Sequence, residues 1–170
     1  MKSSPSIRPA TESDLPAILA IHNDAVENTT AIWNETPVDL ANRKAWFAER
    51  TGRGFPVLVA ERGGVIGQHV MGYGTFGEFR PHEGYRVTVE HSIYVAKEAR
   101  GQGAGATLLE ALIAEARRMG KRNMVGAIDA ANAPSIRLHE RFGFVEVGRM
   151  PGVGEKFGRP LDLVLMQKVL

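Results

Sequence analysis

Residues 100–105 read Arg-Gly-Gln-Gly-Ala-Gly and run straight into the amphipathic pattern ATLLEALIAEA. The first turn of a helix carries unpaired N–H groups and about half a positive charge, and glycines just ahead of it let a bulky anion approach the backbone. Arg100 at the entrance suits a phosphate or pyrophosphate guest; a tight strand-to-helix turn without a ligand is the plainer alternative. Nucleoside triphosphate hydrolysis fits poorly, because a P-loop needs Lys-Ser or Lys-Thr after its last glycine and Ala106-Thr107 stand here. The dinucleotide fingerprint is met literally by Gly101-x-Gly103-x-x-Ala106, with Asp129 ending the next strand where a ribose-binding acid belongs, so an NAD-binding module is the competing reading. Against it, the motif lies past mid-chain and leaves only a short segment for the second half of a dinucleotide fold.

Periodicity gives the elements that must hold this loop. Thr11 and Asp14 have capping-box spacing ahead of Leu15, Ile18, Leu19, His22 and Val26, which predicts a helix over 13–26, and Asp39 precedes a second one through Leu40, Arg43, Trp46 and Phe47. Between them lies a polar loop that holds Ile32 and Trp33. FPVLVAE and VIGQHVMGYGTF read as strands joined by a tight turn at Arg62-Gly63-Gly64. RVTVEHSIYV alternates, placing Val87, Val89, His91, Ile93 and Val95 on one face and Thr88, Glu90, Ser92 and Tyr94 on the other. After the glycines a helix carries Leu108, Leu109, Leu112, Ile113 and Ala116 on one side and stops near Gly120. NMVGAIDA, FVEVGR and LDLVLMQKVL read as strands, with a short helix in NAPSIRLHERFG. The pattern is one α/β layer structure with a mixed sheet, a single domain over residues 1–170.

Composition excludes several classes. No cysteine is present, which removes thiolate nucleophiles, disulfides and Cys-ligated zinc and suits a reducing compartment, so a cytoplasmic location is expected. The opening MKSSPSIRPATESDL lacks the apolar core of a signal peptide, and no apolar run approaches the ~20 residues that span a bilayer, so a soluble protein without membrane partners is expected. The formal charge of +2 comes from scattered Lys and Arg, a balance that hints at an anionic ligand and argues little for nucleic acid.

With Arg100 included, the loop fits the R/Q-x-x-G-x-G/A motif of the GNAT superfamily of acetyl-CoA-dependent N-acetyltransferases. The surrounding order fits too: RVTVEHSIYV before it, ATLLEALIAEARR and NMVGAID after it, then Asn132-Ala-Pro-Ser135 leading to His139 and Gly143-Phe144. The chain resembles that superfamily through nearly its whole length. IHNDAVENTTAIWNETP, TVEHSIYV and NAPSIRLHERFGF look like its phosphinothricin and methionine sulfoximine (methionine sulfone) acetyltransferase branch.

The resemblance implies a GNAT-like α/β (α+β) fold: a central mixed, mostly antiparallel sheet flanked by helices, with splayed strands forming an acetyl-CoA slot and a bulge near residues 90–93. It assigns the pantetheine arm to Ile93, Tyr94 and Val95, and the pyrophosphate to Arg100, Gly101, Gln102, Gly103, Ala104, Gly105 and Ala106. Asn132 and Ser135 would hold the coenzyme's arm, helix capping being their ordinary alternative. Transfer needs a neutral amine, so a base must take its proton; Glu90 matches the branch's proposed glutamate, a salt-bridge partner being its alternative. His139 stands where many relatives carry a tyrosine general acid, and is read as an acid or sulfur contact or as a buried structural histidine. The branch's substrate positions fall on Glu78, Phe79, Arg80, Arg86, Val87, Thr88 and Glu90, with Arg80 or Arg86 as a carboxylate clamp and Ile32 and Trp33 as pocket wall. The function so implied is acetylation of the α-amino group of a small amino-acid analogue, which would serve herbicide detoxification, by an enzyme without metal that commonly pairs as a homodimer. A CoA-binding sensor without activity is the remaining alternative.

Overall fold

Alternation in the first half of the chain builds an antiparallel meander. In the computed structural model, which describes residues 4–62 and 69–170, β1 (Ser6–Pro9), β2 (Val57–Glu61), β3 (Val70–Glu78) and β4 (Thr88–Val95) pair in that order, each antiparallel to the next. The glycine turn expected at 63–64 lies outside the described residues. After β4 come α3 (Ala104–Arg118), β5 (Asn123–Asp129), α4 (Ala133–Arg141), β6 (Val145–Lys156) and β7 (Arg159–Val169). The seven strands form one sheet in the order β1-β2-β3-β4-β5-β7-β6, in which β4 and β5 are the parallel neighbours. The mixed, mostly antiparallel sheet expected from the resemblance is therefore present. That topology overturns the NAD-binding alternative, because a dinucleotide fold needs two parallel βαβαβ halves.

The helices α1 (Leu15–Asn28) and α2 (Leu40–Gly52) cover one face of the sheet and α3 the other. Trp46 of α2 meets Tyr73 of β3 edge-on at 6.0 Å. Across the sheet α3 approaches β3 closely because two glycines lie beneath it. A Cβ on Gly72 would come within 2.7 Å of the Tyr94 carbonyl, and one on Gly74 within 3.0 Å of Leu112 Cδ1. Leu108, Leu109 and Leu112, fully buried, fill that side. At the start of α1 the Thr11 amide donates to Asp14 at 2.8 Å. Asp14, also fully buried, takes a two-pronged pair from Arg8 at 2.7 and 2.8 Å, and Arg8 reaches on to Glu61 at 2.8 Å. The Arg8 hydrogen bonds hold the Asp14 carboxyl below its usual range.

The β6–β7 hairpin runs further than FVEVGR alone suggests. β6 continues through Met150-Pro-Gly-Val-Gly154 to Lys156, with register shifts absorbing the breaker residues. Phe157 and Gly158 turn the chain with φ of 53° and 68°, the left-handed pair that a two-residue hairpin requires.

Candidate active site

The parallel pairing of β4 with β5 lasts from Thr88–Asn123 to His91–Gly126 and then stops. β4 remains paired with β3 as far as Val95, and β5 with β7 as far as Asp129. The two strands therefore diverge after His91, leaving one edge of residues 92–95 without a strand partner. A wedge opens between them, the splay that the resemblance predicts. The expected bulge is absent: β3 and β4 keep an unbroken register from Glu78–Val89 to Gly72–Val95, so the simple alternation of β4 holds. Divergence from β5 suffices to open the sheet.

At the end of β4 the chain passes a short 3-10 turn, Lys97–Ala99, and enters the glycine loop. Gly101 has φ +71° and Gly103, the N-cap of α3, φ +91°. Both angles disfavour any side chain, and the first amides of α3 have no intrahelical partner. Gly105 is packed differently, since a Cβ there would meet Leu138 and Val95 at 3.5 and 3.6 Å. Gln102 is held by its side-chain amide on the Glu98 carbonyl and receives Arg62 at 2.6 Å. Arg100 does not stand free over the loop; it pairs with Asp24 of α1 at 3.3 Å. On the far side of the wedge, Asn132 caps α4 by accepting the Ser135 amide at 3.2 Å, the ordinary reading of that residue, and Ser135 lies half-buried one turn into the helix. Asp129, offered above as a ribose ligand, is buried and accepts from Thr30 and from the Ala131 amide.

Glu90, Ser92 and Tyr94 share the α1/α2 face of β4, with Gly77, Thr75 and Tyr73 opposite them on β3. Glu90 is half-buried, and loss of hydration pushes its carboxyl up, an effect that the Arg80 charge partly offsets. Arg80 therefore bears on Glu90, and its guanidinium stacks 4.9 Å from the Phe79 ring. Arg86 is turned to its own 3-10 turn, donating to the Glu83 carbonyl at 3.1 Å. The two arginines nevertheless line one open concavity of about 570 Å³ with Glu78, Pro81, His82 and Glu83. Glu78 is already engaged by Arg53 at 2.5 Å, so it borders this concavity as half of an ion pair. Val87 and Thr88 lie at the start of β4; the Val87 carbonyl is taken by the amides of Arg122 and Asn123. A second concavity, about 520 Å³ between Glu12 and α2, is lined by Leu15, Lys44, Phe47 and Thr51 and shares no residue with the first.

Opposite Glu90, two histidines meet at the wedge's apex. His91 Nδ1 lies 2.9 Å from the Val125 carbonyl, His139 Nδ1 lies 2.7 Å from that of Ser135, and their Nε2 atoms face each other at 2.9 Å. Carbonyls only accept, so these three contacts call for three protons where two neutral imidazoles carry two. Burial pushes both rings below the usual histidine range, His91 to about 3. Gly126 makes the meeting possible: a Cβ there would sit 2.9 Å from His91. Both nitrogens of His139 are engaged away from the open wedge, and nothing in its local sequence marks a partner 48 residues away.

The last turns of α1 and the loop after it cross the wedge on Glu90's side. Asp24 is tied to Arg100 just beyond β4, and Thr30 to Asp129 at the end of β5. Trp33 donates to the Thr30 carbonyl at 3.0 Å and lies flat on Gly154 of β6, whose Cβ would come within 2.2 Å of the ring. Ile32, half-buried, gives its carbonyl to Lys156. Among the described residues no group of three or more potential metal ligands is present, and no helix is long and apolar enough to cross a membrane.

Parallel strands that part at a helix start receptive to anions, beside a half-buried carboxylate, have room for a phosphate-bearing molecule and a group able to accept a proton. The comparison with known sequences agrees. The model of the acetyltransferase (GNAT) family matches residues 18–144, and the chain belongs to that family. It is 59% identical to the L-methionine sulfoximine/L-methionine sulfone acetyltransferase of Pseudomonas paraeruginosa, over 96% of this chain and 94% of that one. It is 41% identical to the phosphinothricin N-acetyltransferase of Alcaligenes faecalis, over 97% and 82%. An acetyltransferase from Salmonella typhimurium, solved with its cofactor acetyl-CoA, superimposes with a TM-score of 0.93 at 50% identity, covering 99% of this chain and 95% of that one.

Proposed function

We propose that the protein moves an acetyl group from acetyl-CoA to the α-amino group of a small amino-acid analogue, with methionine sulfoximine, methionine sulfone and phosphinothricin as its acceptors. The observation that carries this reading is the placement of Glu90 beside the wedge between β4 and β5, which ends at the glycine loop. Acetyl-CoA supplies a thioester carbonyl that a neutral amine attacks. The segment 101–106 receives its pyrophosphate on the unpaired amides that open α3, the free edge at Ile93, Tyr94 and Val95 pairs with the amide-bearing pantetheine arm as a peptide pairs with a sheet edge, and Asn132 and Ser135 border that arm. Glu90, its carboxyl raised by burial, accepts the proton that frees the amine's lone pair. A backbone amide near Val95 donates to the oxygen that gains charge. On the other face His139, engaged by the Ser135 carbonyl and by His91, is the buried structural histidine of the apex, and the leaving thiolate takes its proton from solvent. Arg80, whose charge bears on Glu90, grips the acceptor's carboxylate with two parallel hydrogen bonds, and Ile32 and Trp33 wall its side chain.

The reading also covers assembly and setting. β6 is a sheet edge of twelve residues that leaves Val145, Val147, Met150 and Val153 exposed, an apolar edge suited to a second copy in a homodimer. The work is that of a cytoplasmic enzyme, where acetyl-CoA is at hand, and blocking the amine of phosphinothricin would serve herbicide detoxification. Free-thiol release from acetyl-CoA across a panel of amino acids tests the whole. Release that depends on an added amino-acid analogue supports it; saturable CoA binding without release refutes it.

A further inference from the structure

Among the described residues one lysine, at the far end of β6, is withdrawn wholly from solvent. Lys156 is 0% exposed, and no carboxylate lies among its hydrogen-bond partners. Its Nζ donates to the carbonyls of Val26 and Thr29 at 2.6 Å and to that of Ile32, with Ala25 at 3.4 Å. An ammonium has three N–H bonds, and the three short contacts use them all. Two of the four acceptors belong to the last turn of α1, where carbonyls have no intrahelical donor and the helix dipole presents its negative end. The others follow in the loop that crosses the wedge.

Lys156 thus completes a helix end more than a hundred residues away in sequence and clamps the segment 25–32 to the β6–β7 hairpin. Its neighbours on the hairpin do the same work. Gly154 supplies the flat seat under Trp33, and the Phe157 amide donates to Glu35 at 2.6 Å. The segment has anchors on both banks of the wedge, Asp24 on Arg100 and Thr30 on Asp129, so a shift in its path changes the floor against which an acceptor rests.

We propose that Lys156 is a positioning residue for the acceptor site: by gathering the carbonyls of residues 25–32 it fixes the strap that carries Ile32 and Trp33 across the opened strands. The proposal rests on the reading that the acceptor lies on Glu90's face. It requires that loss of the ammonium release the strap and damage use of the acceptor while leaving the glycine loop, on α3's side, able to bind the coenzyme.

The test uses the full-length enzyme with two kinds of readout. Trp33 and Trp46 are the two tryptophans, so a Trp46→Phe background isolates Trp33 emission. In that background Lys156→Met should red-shift the emission as Trp33 leaves Gly154. With methionine sulfoximine as acceptor, kcat/KM should fall about 10–100-fold, the effect of misplacing a substrate by an ångström. Acetyl-CoA affinity by calorimetry should stay within about twofold of the parent. Lys156→Arg, which keeps the charge, should recover part of the loss. Gly154→Ala is the second variant, because it unseats Trp33 without stranding buried carbonyls; it should reproduce the acceptor defect in a stably folded protein. Parallel loss of coenzyme affinity and acceptor use would make Lys156 a general packing residue and overturn the proposal. A red-shifted Trp33 with unchanged acceptor kinetics would overturn it as well, by showing that the strap does not touch the acceptor. A parent enzyme without amine-dependent thiol release would instead sink the functional reading, and the acceptor role with it.

Discussion

Gly103 caps α3 and Gly105 sits in its first turn, two residues apart in one motif, yet the structure predicts opposite results when each gains a side chain. At Gly103 the φ of +91° is the first obstacle, since a β-branched residue forced into left-handed backbone costs about 1–2 kcal/mol. For a chain of this length that lowers Tm by roughly 2–8 °C. Packing adds nothing, because the nearest atom to a Cβ there is Pro5 Cδ at 3.9 Å. The added side chain therefore projects into open space beside the amides that would receive a pyrophosphate. Each charge-assisted hydrogen bond lost there is worth about 1.5–3 kcal/mol, or roughly 10–100-fold in affinity. At Gly105 no positive φ is required, and a Cβ would point inward to ordinary contact with Leu138 and Val95 at 3.5 and 3.6 Å. Gly105→Ala should therefore bind acetyl-CoA within about threefold of the parent, under 1 kcal/mol, whereas Gly103→Val should lose at least tenfold. Calorimetric titration with acetyl-CoA decides the point, and titration with pantetheine, which lacks the pyrophosphate, locates the loss. The difference between Gly103→Val and the parent should vanish for pantetheine. A folded Gly103→Val protein with undiminished acetyl-CoA affinity, or an equal loss for pantetheine, would show that the loop is only a turn.

Further outcomes follow from the other face of the site and from the start of the fold. Glu90→Gln should lower the acetylation rate by about 10²–10⁴ with coenzyme affinity nearly intact, and a rate within twofold of the parent at neutral pH removes Glu90 as the base. Because burial raises the Glu90 carboxyl and Arg80 opposes that shift, kcat/KM should climb with pH as Glu90 deprotonates, and Arg80→Ala should move this limb to higher pH; a move to lower pH would contradict the pairing. Carboxyl-amidated methionine sulfoximine should be a worse acceptor than the free acid by about 2–5 kcal/mol of transition-state binding. Arg80→Ala should narrow that gap and Arg86→Ala should leave it, since Arg86 is spent on its own turn; a gap unchanged in both would place the clamp elsewhere. Asp14→Asn should cost about 3 kcal/mol in urea unfolding at neutral pH, since it breaks a pair with one fully buried partner. Asp14 is depressed in the folded state, so this contribution is whole above the unfolded value of 3.8 and fades as pH falls through the lower folded value; a loss that grows with acidification would be the wrong sign.

Much of the site was legible because its signals are local. The positive φ at Gly101 and Gly103, the alternation of β4, the leucine face of α3, and the caps at Thr11 and Asp39 each depend on a few adjacent residues. The rest depends on partners far apart in the chain. β1 has only four residues and no alternation to read, and it exists because β2 offers an edge. The extension of β6 through Pro151, Gly152 and Gly154 reads as loop, since breaker residues hide a strand whose partner absorbs the irregularity. A lysine near the end of a chain reads as solvated, and nothing around Lys156 marks the carbonyls of residues 25–32 that bury it. Arg100 reads as an anion ligand, but Asp24 on α1 claims it. The meeting of His91 and His139 requires a glycine on a third element, β5.

Mechanically, the sheet is two plates joined along a short seam. β1 to β4 form one plate and β5, β7 and β6 the other, and direct strand pairing between them spans only four residue pairs, Thr88–Asn123 to His91–Gly126. The segment from Asp24 to Thr30 bridges the open side like a tie-bar. A molecule that hydrogen-bonds to both banks of the gap would serve as the missing strand between the plates. Amide hydrogen exchange at residues 92–95 and 127–129 should therefore report coenzyme occupancy directly, slowing as the two plates are locked into one.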